Sequence, residues 1–266
     1  MPNKNWFHDR VLWIAAAAWV IWFASMLIVA SGAGSSSTWI ALDAVAKAGT
    51  EISLVGHVPG PDGQLARVAS SAPGWQLPAA VEVQHGHAHF AAMAPEQTGF
   101  HTWSVHPNAG DQAISVSVGS FAVVAAGDPW VGISIDEILA DAPWYKIQTP
   151  SPPRLYPAAH GGMLDLSRHA VLVCWSSIDT ASLPSLREWW SRLALPSSIL
   201  LVEDEAGSAL RIVRQQLGDP LLCLAGVDAI GSLPASEIEV IGVGAGSVGG
   251  WQTAFQRVEQ LQQKGN

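Results

Sequence analysis

Five short apolar runs, separated by segments with helical periodicity, most strongly constrain how this chain folds. The runs cover residues 131–135, 170–175, 198–203, 221–225 and 238–243. Apolar strands that alternate with helices are typical of a parallel sheet covered on both faces. The sequence therefore predicts a three-layer α/β domain over residues 126–250, followed by a C-terminal helix over 251–266.

The helical segments between these runs carry apolar stripes. One stripe follows Pro184, and a second segment, about 206–217, ends at Gly218, a residue type suited to the position after a helix. The Pro-rich segment 141–168 is predicted to be a lid-like insertion. The predicted stripes are Leu186, Trp189, Trp190 and Leu193; Leu210, Val213 and Leu217; and Trp251, Phe255, Val258 and Leu261.

Residues 39–125 show a different pattern, with alternating apolar and polar residues. Runs such as Glu51 to Val55 and Ala113 to Val118 are separated by Pro/Gly turns at intervals of roughly ten residues. This spacing favours a small β-sandwich of immunoglobulin-like architecture.

The N-terminal region contains an apolar segment, Val11 to Ala30, with no charged residue. At about 1.5 Å per residue such a helix spans a hydrocarbon core of about 30 Å. The sequence therefore predicts a head over 1–10, a transmembrane helix over 11–31 and a Gly/Ser-rich linker over 32–38. Three tryptophans are candidates for packing within the membrane, and the mid-span Trp19 would face another helix, a pigment-like ligand or lipid. They are Trp13, Trp19 and Trp22.

The distribution of basic residues predicts the orientation of that helix. Lys4 and Arg10 precede it, and the first basic residue after it is Lys47. The positive-inside rule then places the N-terminus in the cytoplasm and the bulk in the periplasm, on a single-pass inner-membrane protein. A cleaved signal peptide is the alternative, because small residues follow the segment, but the apolar stretch exceeds the usual length.

These patterns together predict an α+β multidomain protein with one transmembrane helix, an immunoglobulin-like sandwich and an α/β domain. The net charge of −9 argues against nucleic acid as a partner, since a phosphate-binding surface needs clustered Lys and Arg. Cys174 and Cys223 each lie within an apolar, strand-like run.

The first α/β strand leads into an acidic turn that contains Ser134, Asp136 and Ile138. This stretch resembles motif I of the haloacid-dehalogenase-like (HAD) phosphatases, a strand ending in Asp-x-Asp followed by a small residue and Thr. The resemblance implies that Ser134 replaces the nucleophilic Asp, that Asp136 matches the general acid/base, and that Ile138 replaces Thr. A serine without an adjacent base is a poor nucleophile and a weak magnesium ligand.

The chain is similar in particular to the lipin-type phosphatidate phosphatases within that family. The similarity implies that Ser176 or Ser177 matches the phosphoryl-binding residue, and that Asp228 matches one magnesium ligand where the family usually has two. Arg211 and Arg214 are candidates for the cation that neutralises phosphate. The implied domain is a degenerate, Rossmannoid HAD-like scaffold without catalysis and without a cofactor. In a sheet of that type the strands of Cys174 and Cys223 would be two strand spacings apart, which exceeds the reach of a disulfide.

A histidine-rich segment suggests a separate chemistry. On a regular strand His85, His87 and His89 would share one face and could bind zinc or copper. The dipeptide His85-Gly86 is equally compatible with the tip of a hairpin, which would break that alternation.

We expect from these observations a non-catalytic, membrane-anchored accessory or stabilising subunit of a larger bacterial membrane complex, respiratory or photosynthetic. Its partners would be integral membrane subunits and the lipid bilayer, and the thirteen tryptophans would allow a large docking surface. One alternative is a membrane-tethered, magnesium-dependent HAD-type phosphatase that uses Asp136, Ser176 and Asp228. Another is a histidine-based metal-binding module.

Overall fold

A computed structural model describes residues 38–107, 115–138, 147, 149, 152–202, 208–225, 239–243 and 248–265. The strands are β1 (Trp39–Ala41), β2 (Ala44–Lys47), β3 (Glu51–His57), β4 (Leu65–Ser70), β5 (Val81–Gln84), β6 (His87–Met93), β7 (Gly99–Pro107), β8 (Val116–Ser117), β9 (Gly119–Val124), β10 (Trp130–Ser134), β11 (Val171–Ser176), β12 (Ile199–Val202), β13 (Leu222–Ala225) and β14 (Val240–Gly242). The α-helices are α1 (Pro157–Leu166), α2 (Leu183–Arg192), α3 (Ser208–Leu217) and α4 (Val248–Gly265). Short 3₁₀ turns cover Asp136–Ile138 and Thr180–Ser182.

The first nine strands form one curled, mixed sheet in the order β2-β9-β7-β4-β5-β6-β3-β1-β8. Most neighbours are antiparallel, whereas β1 pairs with β8, and β2 with β9, in parallel. The period-two pattern determines its two faces: in β3 Ile52 and Leu54 are buried, while Glu51 and Ser53 are exposed. The buried faces enclose a core whose largest side chains are Trp39, Phe90, Trp103 and Phe121.

The remaining five strands form a parallel sheet in the order β12-β11-β10-β13-β14. They lie in the five apolar runs that the sequence predicted as strands. All five residues of the central strand β10 are buried, as expected for a strand covered on both faces. Cys174 on β11 and Cys223 on β13 lie on either side of β10, and both thiols are free, as predicted.

Helices α2, α3 and α4 lie where the apolar stripes predicted helices, and α1 is a helix that was not predicted. In α2 the residues Leu186, Trp189 and Trp190 are buried. Helix α1 lies within the segment predicted to be a lid-like insertion. Two adjacent glycines lower its helical propensity, so the sequence pattern did not predict it. Packing against α4 accounts for the difference, because α1 contacts Trp251 of α4 at Gly162.

The two sheets share hydrophobic clusters across their junction. Ile40 packs in one cluster with Val131 and Met163, and Val45 packs in another with Trp130 and Val173. Residues 38–266 accordingly form one compact unit.

The predicted fold class is therefore wrong. The prediction was an α+β chain composed of a transmembrane helix, an immunoglobulin-like sandwich and a separate HAD-like α/β domain. The described structure is mainly β, and its largest element is the nine-stranded curled sheet. The physical reason is that local periodicity reports which face of a strand or helix is buried, but not which other element covers that face.

The prediction of a single-pass inner-membrane protein with a periplasmic bulk is also corrected. Within the described residues, no helix combines the length and the hydropathy needed to cross a bilayer. The predicted span 11–31, with Trp13, Trp19 and Trp22, lies outside those residues. A long uncharged run is necessary for a membrane span but is not sufficient for one.

Candidate functional site

The candidate site lies where β10 and β11 end at the same edge of the parallel sheet. The amide of Ile135 donates to the carbonyl of Trp175 at 2.8 Å, which extends the pairing one residue beyond β10. The chain then enters the 3₁₀ turn Asp136–Ile138. This geometry brings Asp136 beside the end of β11, at the edge of an α/β sheet where binding sites commonly form.

Three hydrogen bonds fix the Asp136 carboxylate. The hydroxyl of Ser176 donates to Oδ1 at 2.7 Å, and the hydroxyl of Ser177 donates to Oδ2 at 2.9 Å. The amide of Ser177 also donates to Oδ2, at 3.2 Å. Both carboxylate oxygens thus accept hydrogen bonds from β11 and the residue after it. Because hydrogen bonds to an ionised acceptor are stronger than neutral ones, this arrangement ties the ends of the two strands together.

Of the residues predicted for this site, the structure brings together Asp136, Ser176 and Ser177. The sequence left Ser176 and Ser177 as alternatives, and both contact the carboxylate. Ser134 is buried as the last residue of β10, opposite Trp175 in the register. Asp228 lies outside the described residues.

The two positions that depart from the phosphatase motif are both in the interior. Ser134 has 4% of its surface exposed, and Ile138 is fully buried in a hydrophobic cluster. The arginines considered for phosphate neutralisation are on α3. There Arg214 pairs with Asp219, with Nη2 2.6 Å from Oδ1, so its guanidinium is already engaged by a carboxylate.

A second polar cluster, centred on Asp43, joins the two sheets and was not predicted. Its Oδ1 accepts from the amide of Ser120 and from Arg187, and its Oδ2 accepts from the amide of Leu200 at 2.8 Å. Arg187 also donates to the carbonyl of Ala41 at 2.6 Å. The partners of Asp43 lie 77, 144 and 157 residues away along the chain, so no local motif could reveal the cluster.

The histidine segment forms a hairpin, which was one of the two alternatives. Gln84 pairs with His87 across the turn, and His85 and Gly86 both have positive φ, at 53° and 75°. These angles are those of a tight hairpin turn. His85 is therefore at the tip, while His87 and His89 remain on the strand. In the part of the chain that is described, no group of three or more His, Cys, Asp or Glu could hold a metal ion.

The two cysteines are not suited to nucleophilic chemistry. Burial raises the pKa of the Cys223 thiol from its ordinary value of 9.0 to about 12. Burial raises the pKa of the Cys174 thiol further still. The thiolate is the form that acts as nucleophile or metal ligand, so burial and a raised pKa disfavour both roles for these cysteines.

The tryptophans in the described part of the chain are buried or half-buried. Trp39, Trp103, Trp130 and Trp189 are among the largest fully buried side chains, and Trp75 is half-buried. Indole N–H groups donate to backbone carbonyls, as from Trp130 to Gly218 at 3.1 Å and from Trp189 to Pro153 at 3.1 Å. The tryptophans on described strands and helices therefore do not support the predicted docking surface.

Comparisons with known proteins identify no family. No protein-family model and no curated protein matches the chain. Among solved structures, the D00-D0 domain of intimin matches 32% of this chain and 45% of its own length, at 14% identity and a TM-score of 0.27. The Yersinia pseudotuberculosis adhesin InvE matches 37% of this chain and 31% of its own length, at 17% identity and a TM-score of 0.27.

A third match extends over more of the chain but is equally distant. The Photobacterium 2,6-sialyltransferase matches 72% of this chain and 35% of its own length, at 10% identity and a TM-score of 0.25. TM-scores at this level carry no argument about fold or function. These matches give the resemblance to HAD phosphatases no support.

Proposed function

We propose that this chain is a non-catalytic accessory or stabilising subunit of a larger protein assembly. The observation that carries the proposal is the set of hydrogen bonds that the Asp136 carboxylate accepts. Both of its oxygens accept hydrogen bonds from Ser176 and Ser177, so the carboxylate that could act as an acid or base links two strands instead.

The residues around Asp136 support a non-catalytic role. A phosphoryl-transfer site needs a nucleophile and cationic groups held at the reacting phosphate. The nucleophile position is occupied by Ser134, which is 4% exposed, and Arg214 is paired with Asp219. A buried serine contributes little to covalent catalysis unless an adjacent base activates its hydroxyl.

The charge of the molecule supports a protein partner. A net charge of −9 repels nucleic acid, and a partner with a basic surface would associate with this chain through complementary potentials. The shared clusters between the two sheets provide a single folded body that such a partner can contact.

The test is native mass spectrometry of the tagged full-length chain, purified under mild conditions from the cells that produce it. We expect a complex of defined stoichiometry that persists when the salt concentration is moderate and weakens when it is high. The same tag on an unrelated acidic protein is the control. Recovery of the chain only as a free monomer would contradict the proposal.

A further inference from the structure

Two histidines face each other on neighbouring strands of the curled sheet. In the register of β3 and β6, His57 is opposite His87. The next pair, Val58 and Gly86, is hydrogen-bonded, with the amide of Val58 donating to the carbonyl of Gly86 at 2.8 Å. Because hydrogen-bonded and non-hydrogen-bonded pairs alternate, His57 and His87 form a non-hydrogen-bonded pair, the type in which side chains approach most closely. Their ring centroids are 5.4 Å apart.

The hairpin turn fixes which nitrogen of His87 carries the proton. Nδ1 of His87 is 2.9 Å from the carbonyl oxygen of His85. A carbonyl oxygen can only accept, so Nδ1 is the donor, and Nε2 of the neutral ring keeps its lone pair. Histidines that bind metal ions are typically held by this kind of contact from the other ring nitrogen.

The carbonyl that orients His87 is itself held in place. The amide of His85 donates to Oδ1 of Asp62 at 2.6 Å, which braces the tip of the hairpin. His85 thus contributes its backbone to the arrangement. Its side chain is exposed at the turn and is not part of the strand face that carries His87.

The spacing of the rings distinguishes the pair from the third histidine. With metal–nitrogen bonds of about 2.0–2.1 Å, two imidazoles on one tetrahedral ion have centroids about 5 Å apart. The 5.4 Å between His57 and His87 is close to that distance. The 6.1 Å between His87 and His89 is wider.

We propose that His57 and His87 form a two-histidine chelate for a divalent transition-metal ion of the Cu²⁺ or Zn²⁺ class, with solvent in the remaining coordination positions. Imidazole nitrogen suits these ions, and copper binds such a site more tightly than zinc. The inference is independent of the proposed assembly role.

Isothermal titration of the full-length chain with CuCl₂, in a buffer without coordinating amines, tests the proposal. We expect one high-affinity ion per chain, weaker binding of Zn²⁺ and no binding of Mg²⁺ at this site. His57→Ala and His87→Ala should each weaken Cu²⁺ binding at least about tenfold, since each removes half of the chelate. His57→Asn is a second variant at that position, and circular dichroism verifies that each variant is folded.

His85→Asn is the matched control. Asparagine tolerates positive φ and keeps the backbone carbonyl, so we expect the affinity to stay within about twofold of the native value. The electron paramagnetic resonance spectrum of the copper complex should show coupling to two imidazole nitrogens. Native affinity in both His57→Ala and His87→Ala would overturn the proposal. An equal loss in His85→Asn or His89→Ala would also overturn it, because it would indicate a different set of ligands.

Discussion

At the scale of single residues, Asp136 holds together two strands that end at the same edge of a sheet. Its carboxylate accepts from the hydroxyls of Ser176 and Ser177 at 2.7 and 2.9 Å. In Asp136→Asn one oxygen becomes an NH₂ group that faces hydroxyl donors. We expect the free energy of unfolding to fall by about 1–3 kcal/mol, as for the loss of hydrogen bonds to a charged group. Urea unfolding measures the change.

The control for that substitution is Asp165→Asn, which alters a carboxylate in an exposed pair with Arg168. Such pairs contribute little, so this variant should unfold within about 0.5 kcal/mol of the native chain. Equal stability of Asp136→Asn and the native chain would mean that the three hydrogen bonds do not hold the strand ends together.

The buried thiols give a second prediction at this scale. Burial raises the pKa of Cys223 above its ordinary value of 9.0, to about 12. The resulting contribution to stability is complete below pH 9 and is lost as the pH rises toward 12. At pH 8 we expect a disulfide reagent to titrate neither thiol of the native chain and both after unfolding in urea. Immediate reaction of the native chain would show that a thiolate is accessible.

At the scale of elements, the contact between α1 and α4 depends on a glycine. A Cβ at Gly162 would lie 2.4 Å from the ring of Trp251, whereas a Cβ at Gly161 would meet nothing within 4 Å. Alanine favours a helix over glycine by about 1 kcal/mol at either position. We therefore expect Gly161→Ala to stabilise the chain slightly, and Gly162→Ala to destabilise it by about 1–3 kcal/mol through overpacking.

Thermal unfolding of the two alanine variants, followed by circular dichroism, tests this contact. The pair is well matched because both glycines belong to the same helix and differ only in what their Cβ would meet. Equal changes in melting temperature would indicate that Trp251 does not pack closely against α1.

At the scale of the whole molecule, the cluster around Asp43 joins the curled sheet to the parallel sheet. Asp43 has 1% of its side chain exposed and accepts from Arg187 and from two backbone amides. Asp43→Ala leaves a largely buried guanidinium and two amides without that acceptor. We expect the free energy of unfolding to fall by about 3–5 kcal/mol, as when one partner of a buried ion pair is removed.

Chemical denaturation monitored by both tryptophan fluorescence and circular dichroism measures that loss. We expect the native chain to unfold in one transition by both probes, because the two sheets share hydrophobic clusters. Asp43→Asn keeps one acceptor oxygen, so its free energy of unfolding should lie between those of the native chain and Asp43→Ala. Two separate transitions in the native chain would contradict a shared core.

Local sequence pattern predicted many of the strands and helix ends. It did not predict the contacts that depend on long-range packing. The run 131–135 became β10, and Gly218 follows α3, because burial and capping depend on near neighbours. The resemblance to the phosphatases suggested Ser176 and Asp136 as residues of one site, but it did not predict the hydrogen bond between them. The Asp43 cluster and the His57–His87 pair depend on register and on contacts between sheets, which no local pattern encodes.

The claim that Asp136 is structural and not catalytic is tested most directly by steady-state hydrolysis of p-nitrophenyl phosphate by the full-length chain. The rate is measured with and without Mg²⁺, beside Asp136→Asn. We predict no magnesium-dependent rate above the protein-free background for either protein. Magnesium-dependent hydrolysis by the native chain that Asp136→Asn abolishes would contradict the account.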